Sequence, residues 1–128
     1  MILKTIDGIG GTKREIFAEN GNWVSKRLLL KEDNMGFSFH ETTIFAGTET
    51  LIWYKNHLEA VYCIEGEGEI ESTEDGEVYS IKPGTMYALN EHDRHYLRAF
   101  DKDLKLICVF NPPLIGDEVH KKDGSYDL

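Results

Sequence analysis

The chain has little of what would cross-link it, anchor it in a membrane or bind it to a nucleic acid. It has two cysteines, Cys63 and Cys108, which lack the C-x-x-C spacing of a zinc or redox site, so we expect no disulfide framework. Residues 1–7 show no long apolar stretch of a signal peptide, and no segment approaches the ~18 apolar residues of a membrane span. The 14 basic residues form no cluster and are outnumbered by 23 acidic ones, which argues against binding to a phosphate backbone. We therefore expect a cytoplasmic protein that binds neither membranes nor nucleic acids.

The length of the chain predicts a single domain. At 128 residues, 41% of them apolar, it should bury roughly 65–70% of the surface that the unfolded chain exposes. That is enough for one core and excludes a separate cofactor-binding domain, so residues 1–128 are predicted to form one domain.

Short segments rich in β-branched and aromatic residues predict an all-β fold. Nine such segments follow one another at the spacing of a sandwich or barrel. They are Trp23–Leu30, Phe37–Ile44, Thr50–Tyr54, Ala60–Ile64, Glu69–Glu71, Val78–Ile81, Thr85–Leu89, His95–Phe100 and Leu104–Phe110. Asp75-Gly76 is typical of a tight hairpin turn.

Two segments lie outside this β pattern. Thr12 and Glu15 have the spacing of a capping box, which predicts a short N-terminal helix over about residues 13–18. The C-terminal tail, residues 114–128, is polar after Gly116, and this polar part is the only candidate that the sequence offers for a mobile end.

A spaced motif in the middle of the chain resembles the two motifs of the cupin superfamily. Gly47, Glu59 and Gly66 match the first motif, but Trp53 and Lys55 stand where cupins usually have two histidines. The second motif can be placed on Gly76, Gly84 and Tyr87, with the tyrosine where a third histidine is usual and Pro83 one position late. The resemblance implies a jelly-roll barrel, while the replaced histidines leave open a metal-free cupin.

Longer uninterrupted runs resemble the L-ectoine synthase family of cupins over essentially the whole chain. The matching runs include Arg27–Lys31, Met35–His40, Tyr54–Glu71, Pro83–Leu89, His92–Ala99 and Cys108–Leu114. The resemblance implies a hydro-lyase of compatible-solute biosynthesis, which cyclises N-γ-acetyl-L-2,4-diaminobutyrate to ectoine with loss of water. In that reaction the α-amine attacks the acetamide carbon of the same molecule, and the resulting hydroxyl leaves.

The resemblance also implies a metal site formed by Glu59, Tyr87 and His95. A carboxylate, a phenolate and an imidazole suit iron(II), although zinc could compete for the same ligands. Taken singly, Tyr87 could be a core tyrosine and His95 a turn histidine, as we expect for His92. Glu59, immediately before an apolar run, is more characteristic of a ligand than of a solvated charge.

The same resemblance implies a substrate site drawn from the strands and the tail. Its residues are Trp23, Arg27, Thr42, Tyr54, Cys108, Phe110, Glu118 and His120. Arg27 is expected to bind the α-carboxylate, because a guanidinium can hold both oxygens. Trp23 and Phe110 would form walls, Thr42 would hydrogen-bond, Cys108 would shape the site, and Cys63 belongs to the core. Ordinary packing remains the alternative for each.

Three of these residues are candidates for proton transfer. Glu118 is the first candidate for the general base, with His120 or Tyr54 as alternatives, and Tyr54 could also donate a proton to the departing hydroxyl. Because Glu118 and His120 lie in the tail, the tail would have to fold over the barrel mouth as a lid.

Two other functions remain open from the sequence. A metal-free cupin that binds a small zwitterion would explain the missing histidines. A cupin dioxygenase or sugar isomerase is a second possibility, but both usually need the histidines that this chain lacks. The resemblance to other cupins further implies a homodimer formed through barrel faces and exchanged N-terminal segments.

Overall fold

A computed structural model describes residues 1–126, most of which lie in or between ten antiparallel strands. The strands are β1 Glu15–Phe17, β2 Trp23–Leu29, β3 Ser38–Ile44, β4 Glu49–Ile52, β5 Leu58–Glu65, β6 Gly68–Ser72, β7 Val78–Ile81, β8 Met86–Leu89, β9 His95–Ala99 and β10 Leu104–Asn111. A one-turn helix, α1 Ile6–Ile9, precedes them, and a 3₁₀ turn, Lys31–Asp33, separates β2 from β3. All nine predicted strands are confirmed, with bounds that differ by at most two residues.

The strands form two sheets that enclose the core. The larger sheet has the order β1-β2-β3-β10-β5-β8 and the smaller one β4-β9-β6-β7. Strands that are distant in sequence are neighbours in both sheets, as in a Greek-key or jelly-roll arrangement and not in a simple meander. The expected all-β class is therefore confirmed.

Strict alternation decides which side chains face the interior. On β5, Glu59, Val61 and Cys63 are buried, while the residues between them are exposed. On β10 the inward positions include Cys108 and Phe110. Because successive side chains of a strand point to opposite faces, Glu59 occupies an interior position that an apolar residue would ordinarily fill.

The helix predicted over residues 13–18 is wrong. The hydroxyl of Thr12 does accept a bond from the amide of Arg14, and the carboxylate of Glu15 accepts one from the amide of Gly11. These bonds close a turn that leads into β1, which pairs with β2. Tertiary pairing has overridden the capping signal, and the actual helix lies upstream, capped by Thr5.

Two smaller expectations are confirmed. The hairpin at Asp75-Gly76 connects β6 to β7, with Gly76 at a φ of 75°. Cys63 and Cys108 are both buried free thiols. Within residues 1–126, no helix is long and apolar enough to cross a membrane.

Candidate active site

A small cavity lies between the sheets, beneath the C-terminal tail. Its volume is about 30 Å³, which is room for about two water molecules, since one needs about 10–15 Å³. Eight of the eleven site residues expected from the resemblance line this cavity: Trp23, Thr42, Tyr54, Glu59, Tyr87, Cys108, Phe110 and His120. The other three, Arg27, His95 and Glu118, lie outside its lining.

Strand register brings the central residues of the site together. Phe110 on β10 lies opposite Glu59 on β5. Two residues further along β5, Val61 lies between Cys108 on β10 and Tyr87 on β8. Three strands of the larger sheet thus place a carboxyl, a thiol and a phenol around the same space.

Glu59 is a buried carboxyl without a cationic partner in the part of the chain that the structure describes. Burial raises its pKa to about 8, and a hydrogen bond with the thiol of Cys108 lowers it by a smaller amount. The burial of an ionised carboxylate costs much free energy unless a cation compensates it. Near pH 7 the Glu59 carboxyl is therefore mostly protonated, and a cation bound in the cavity would favour its ionised form.

Tyr87 and His95 come from different sheets, and their rings contact each other edge to face. Their ring centroids are 6.4 Å apart. Burial, and then the charge of Glu59, raise the pKa of the Tyr87 phenol well above its usual value. His95 Nδ1 lies 3.0 Å from the carbonyl oxygen of Asp93, while its Nε2 is buried without a partner. A histidine that donates Nδ1–H to a carbonyl presents Nε2 as a free lone pair, which is how many metal-binding histidines are oriented.

These three side chains fit a divalent metal by their chemistry. They offer an uncompensated carboxyl, a partly buried tyrosine and an unpartnered imidazole nitrogen, a set that suits iron(II). Within residues 1–126, no three His, Cys, Asp or Glu side chains are grouped as metal ligands. The expected set contains only two residues of those types, because its third member is a tyrosine.

Arg27 and Glu118 bind each other at the edge of the site. The Arg27 guanidinium is completely buried, and its nitrogens lie 3.4 Å from the Glu118 carboxylate, 2.7 Å from the Glu118 carbonyl and 3.0 Å from the Gly116 carbonyl. Glu118 also accepts the amides of Ile115 and Gly116, at 2.6 and 2.8 Å. The pair therefore fixes the first part of the tail to β2.

His120 and Tyr54 form a hydrogen-bonded pair over the cavity. The Tyr54 hydroxyl lies 2.8 Å from Nε2 of His120. Burial, and then the charge of Arg27, lower the pKa of His120 to about 3, so its imidazole is neutral near pH 7. Burial also raises the pKa of Tyr54 well above its usual value, so this hydroxyl keeps its proton. The pair can pass a proton between a substrate and the imidazole.

The cavity has polar residues that the sequence analysis missed. Ser25, His40 and Tyr126 line it, and the buried Nε2 of His40 has no partner. Strand alternation could have pointed to His40, because it lies two residues before Thr42 on β3 and so faces the same side. Nothing in the polar tail could have singled out Tyr126. His92, by contrast, is the expected turn histidine, with a φ of 53°.

Comparison with known proteins identifies the family. The ectoine synthase family profile matches residues 1–128. The chain belongs to the ectoine synthase family. It is 62% identical to the L-ectoine synthase of Sporosarcina pasteurii, over all of this chain and 94% of the relative. It is 59% identical to that of Desulfosudis oleivorans, over all of this chain and 98% of the relative.

Solved structures agree on both family and fold. The crystal structure of ectoine synthase from P. lautus has a TM-score of 0.85 and 59% identity, covering 91% of this chain and 81% of that one. A cupin domain of an XRE family transcriptional regulator from Enterobacter cloacae, 19% identical, has a TM-score of 0.61 over 72% of this chain and 98% of its own. The cupin fold, the hydro-lyase class and the ectoine synthase function implied by the resemblance are confirmed.

Proposed function

We propose that ectoine synthase activity resides in the cavity between the sheets and depends on a metal. The observation that carries this assignment is a group of polar side chains in and beside this cavity. Within residues 1–126, Trp23 Nε1 and His40 Nε2 are buried without partners among its lining residues, and the Glu59 carboxyl there has no cation. The unpartnered Nε2 of His95 belongs to the ring that contacts Tyr87, which also lines the cavity. Buried polar groups are ordinarily hydrogen-bonded, so several orphans around one space mark a place for a polar ligand. The substrate N-γ-acetyl-L-2,4-diaminobutyrate has the amine, amide and carboxylate that such groups bind.

The metal site in this proposal consists of Glu59, Tyr87 and His95, with iron(II) as the metal and zinc as the competitor. A bound divalent cation would polarise the acetamide carbonyl, which is otherwise a poor electrophile. The charge of the cation would also compensate the buried carboxylate and favour the ionised phenol of Tyr87. Three strands, β5, β8 and β9, hold these side chains, so their positions do not depend on the tail.

The substrate is proposed to lie between aromatic walls with its polar ends held. Trp23 and Phe110 line the cavity on different strands, and Thr42 and Cys108 face each other with 3.6 Å between oxygen and sulfur. Arg27 is our candidate for binding the α-carboxylate, a role in which that carboxylate would replace the Glu118 side chain, 3.4 Å away. Cys108 needs no nucleophilic role, because burial raises the pKa of its thiol well above the usual value.

Proton transfer is proposed to run through His120 and Tyr54. The attacking amine loses a proton and the departing hydroxyl gains one, so a base and an acid in contact can serve both needs. Neutral His120 would take the proton from the amine, and Tyr54, 2.8 Å away, would supply one to the hydroxyl. Glu118, the first candidate from sequence, already accepts two backbone amides and contacts Arg27, so we assign it to holding the tail.

The homodimer and the cytoplasmic location remain proposals. Apolar side chains on the outer face of β5 and β8 are exposed, among them Tyr62, Ile64 and Met86, and so are Met1 and Leu3 of the N-terminal segment. Burial of such a surface and segment in a second copy would remove apolar area from water. Sedimentation equilibrium would test the dimer, which predicts twice the 14.6 kDa mass of the chain. Cell fractionation would test the location.

One experiment tests the metal-dependent activity. The purified protein, depleted of metal and then supplied with iron(II) or zinc, is incubated with N-γ-acetyl-L-2,4-diaminobutyrate, and the cyclic product is measured. We expect cyclisation only with metal, and fastest with iron(II). Equal cyclisation by the depleted protein would refute the metal proposal. Tight binding without turnover under every condition would instead favour the metal-free binder.

A further inference from the structure

The loop between β4 and β5 holds the end of the tail through residues that replace the usual cupin histidines. The ammonium of Lys55 lies 2.5 Å from the carboxylate of Asp123 and 4.9 Å from the ring centre of Trp53. The amide of Trp53 donates to the carbonyl of Gly124 at 2.9 Å. Lys55 is exposed and Trp53 is half-buried, and neither lines the cavity. The two histidine positions of the cupin motif therefore bind the tail in this chain.

The contact between tail and loop is close and specific. Gly124 has a φ of 88°, and a Cβ there would lie 2.8 Å from the Leu51 carbonyl oxygen and the Trp53 amide nitrogen, so only glycine fits. The side chain of Asn56 donates to the carbonyl of Tyr126 at 3.0 Å. We call the contacts of Trp53, Lys55 and Asn56 with residues 123–126 the tail latch.

The latch places the Tyr126 ring inside the site. Tyr126 is buried, stacks on His120 with ring centres 4.8 Å apart, and lies 4.9 Å from the Tyr54 ring. The Arg27 guanidinium carbon is 5.9 Å from its ring centre. With this ring in place the remaining cavity of about 30 Å³ is far too small for the substrate.

We infer that Tyr126 occupies part of the substrate's position and that residues 123–126 must release from the latch before the substrate can bind. This inference rests on the proposed site. The first part of the tail has its own anchor, because Arg27 also donates to the backbone carbonyls of Gly116 and Glu118, at 3.0 and 2.7 Å. His120 can therefore stay beside Tyr54 while Tyr126 leaves. A closed state that excludes the substrate lowers its apparent affinity by the fraction of open molecules.

Two variants test the inference: one weakens the tail latch and the other removes the ring that the latch holds in the site. Asp123→Asn removes the charge that pairs with Lys55, and Tyr126→Ala removes the ring itself. We expect each to lower KM by at least about threefold, with kcat within about twofold of wild type, because a larger fraction of molecules is open. Asp117→Asn is the matched control, since it removes the same charge from an exposed tail residue, and it should leave both constants unchanged.

The opposite results would overturn the inference. If Tyr126 were a fixed wall of the substrate site, Tyr126→Ala would raise KM and Asp123→Asn would do so weakly. An unchanged KM in both variants would equally refute release of the latch. If the wild-type protein with metal neither bound nor cyclised the substrate, the proposed function would fail instead, which is a distinguishable outcome.

A second measurement follows the tail itself. Trypsin can cut after Lys121 and Lys122, immediately before the latch residues. We expect saturating ectoine, used as the ligand, to speed cleavage of the metal-loaded wild-type protein there by about threefold or more. Slower or unaltered cleavage would mean that the tail stays docked when the site is filled.

Discussion

Two acidic residues of the chain, Asp33 and Glu59, have carboxyl groups in opposite environments. Asp33, in the 3₁₀ turn, accepts the amide of Leu30 at 2.8 Å and pairs with Arg14 at 3.0 Å and Lys4 at 3.5 Å. The backbone hydrogen bond from Leu30, aided by Arg14, lowers its pKa. Glu59 is buried in the cavity without a cation, and burial raises its pKa to about 8.

The opposite pKa shifts indicate that the charge of Asp33 stabilises the fold, whereas a charge on Glu59 would destabilise it. Asp33 accepts the amide of Leu30 and pairs with two cationic side chains, so its charge contributes to stability. Glu59 meets one thiol, and its ionisation in the apo protein is unfavourable. A residue that costs stability in a small domain is best explained by the reaction or the ligand that it serves.

The largest expected effect comes from Glu59→Ala. We expect loss of bound metal and a fall in cyclisation of at least about 10²–10³-fold, while the β-sheet circular dichroism stays unchanged. Metal analysis and product formation are the measurements. Glu69→Ala is the matched control, because Glu69 is a partly exposed partner of Arg98 at 2.8 Å and should change neither. Normal metal content in Glu59→Ala would contradict the assignment.

Removal of the chain after Asp117 should have the next largest effect. It deletes Glu118 and His120, so we expect cyclisation to fall by about 10²-fold, with a smaller relative change in the free energy of unfolding. Product formation and urea unfolding would measure the two. Removal after Lys122 keeps both residues and should keep the activity. The lid proposal fails if the shorter protein turns over normally.

Asp33→Asn should have a smaller effect, and one on stability alone. We expect a loss of about 1 kcal/mol at pH 7, because hydrogen bonds to a charged group are stronger than neutral ones. The folded pKa lies below the unfolded value, so the stabilisation is present above about pH 4 and disappears as the pH falls through the folded pKa. Urea unfolding of both proteins at pH 7 and pH 3 should show the difference shrink. A constant difference would mean that the charge of Asp33 does not matter.

The smallest expected effect is that of Arg98→Ala. Arg98 pairs with Glu49, Glu69 and Glu71 on the smaller sheet, where all four side chains reach solvent. Because solvent screens such pairs, we expect at most about 1 kcal/mol, reduced further by added salt. Chemical unfolding at low and high salt would measure it. A larger loss of stability would contradict the expectation that solvent-exposed charge pairs contribute little to the free energy of unfolding.

The strands were predictable from sequence because their signal is local. Alternating apolar residues bounded by turn residues specify a strand wherever it pairs, and even the hairpin at Asp75-Gly76 followed from two residues. The first strand was missed because Glu15–Phe17 is short and forms only through pairing with β2, while Thr12 and Glu15 gave a local helix signal. Sheet order depends on contacts between distant segments, which no local pattern contains.

The site was predictable only in part, for a similar reason. The resemblance supplied Glu59, Tyr87 and His95, and strand alternation places Glu59 and His95 inside the barrel. No pattern could show that Arg27 would be occupied by Glu118, or that Tyr126 would enter the cavity, because both depend on how the tail folds back. The roles of Trp53 and Lys55 were equally hidden, since the motif marked them only as missing ligands.

The origin of the three proposed metal ligands has a mechanical consequence. Glu59 and Tyr87 belong to the larger sheet and His95 to the smaller one, and β8 and β9 are not hydrogen-bonded to each other. A metal bound by all three would cross-link the two layers of the barrel where no backbone ladder joins them. A metal bound at this proposed site would then oppose separation of the two sheets under heat or force. The ion proposed to activate the substrate would in that case also slow the unfolding of the substrate-free enzyme.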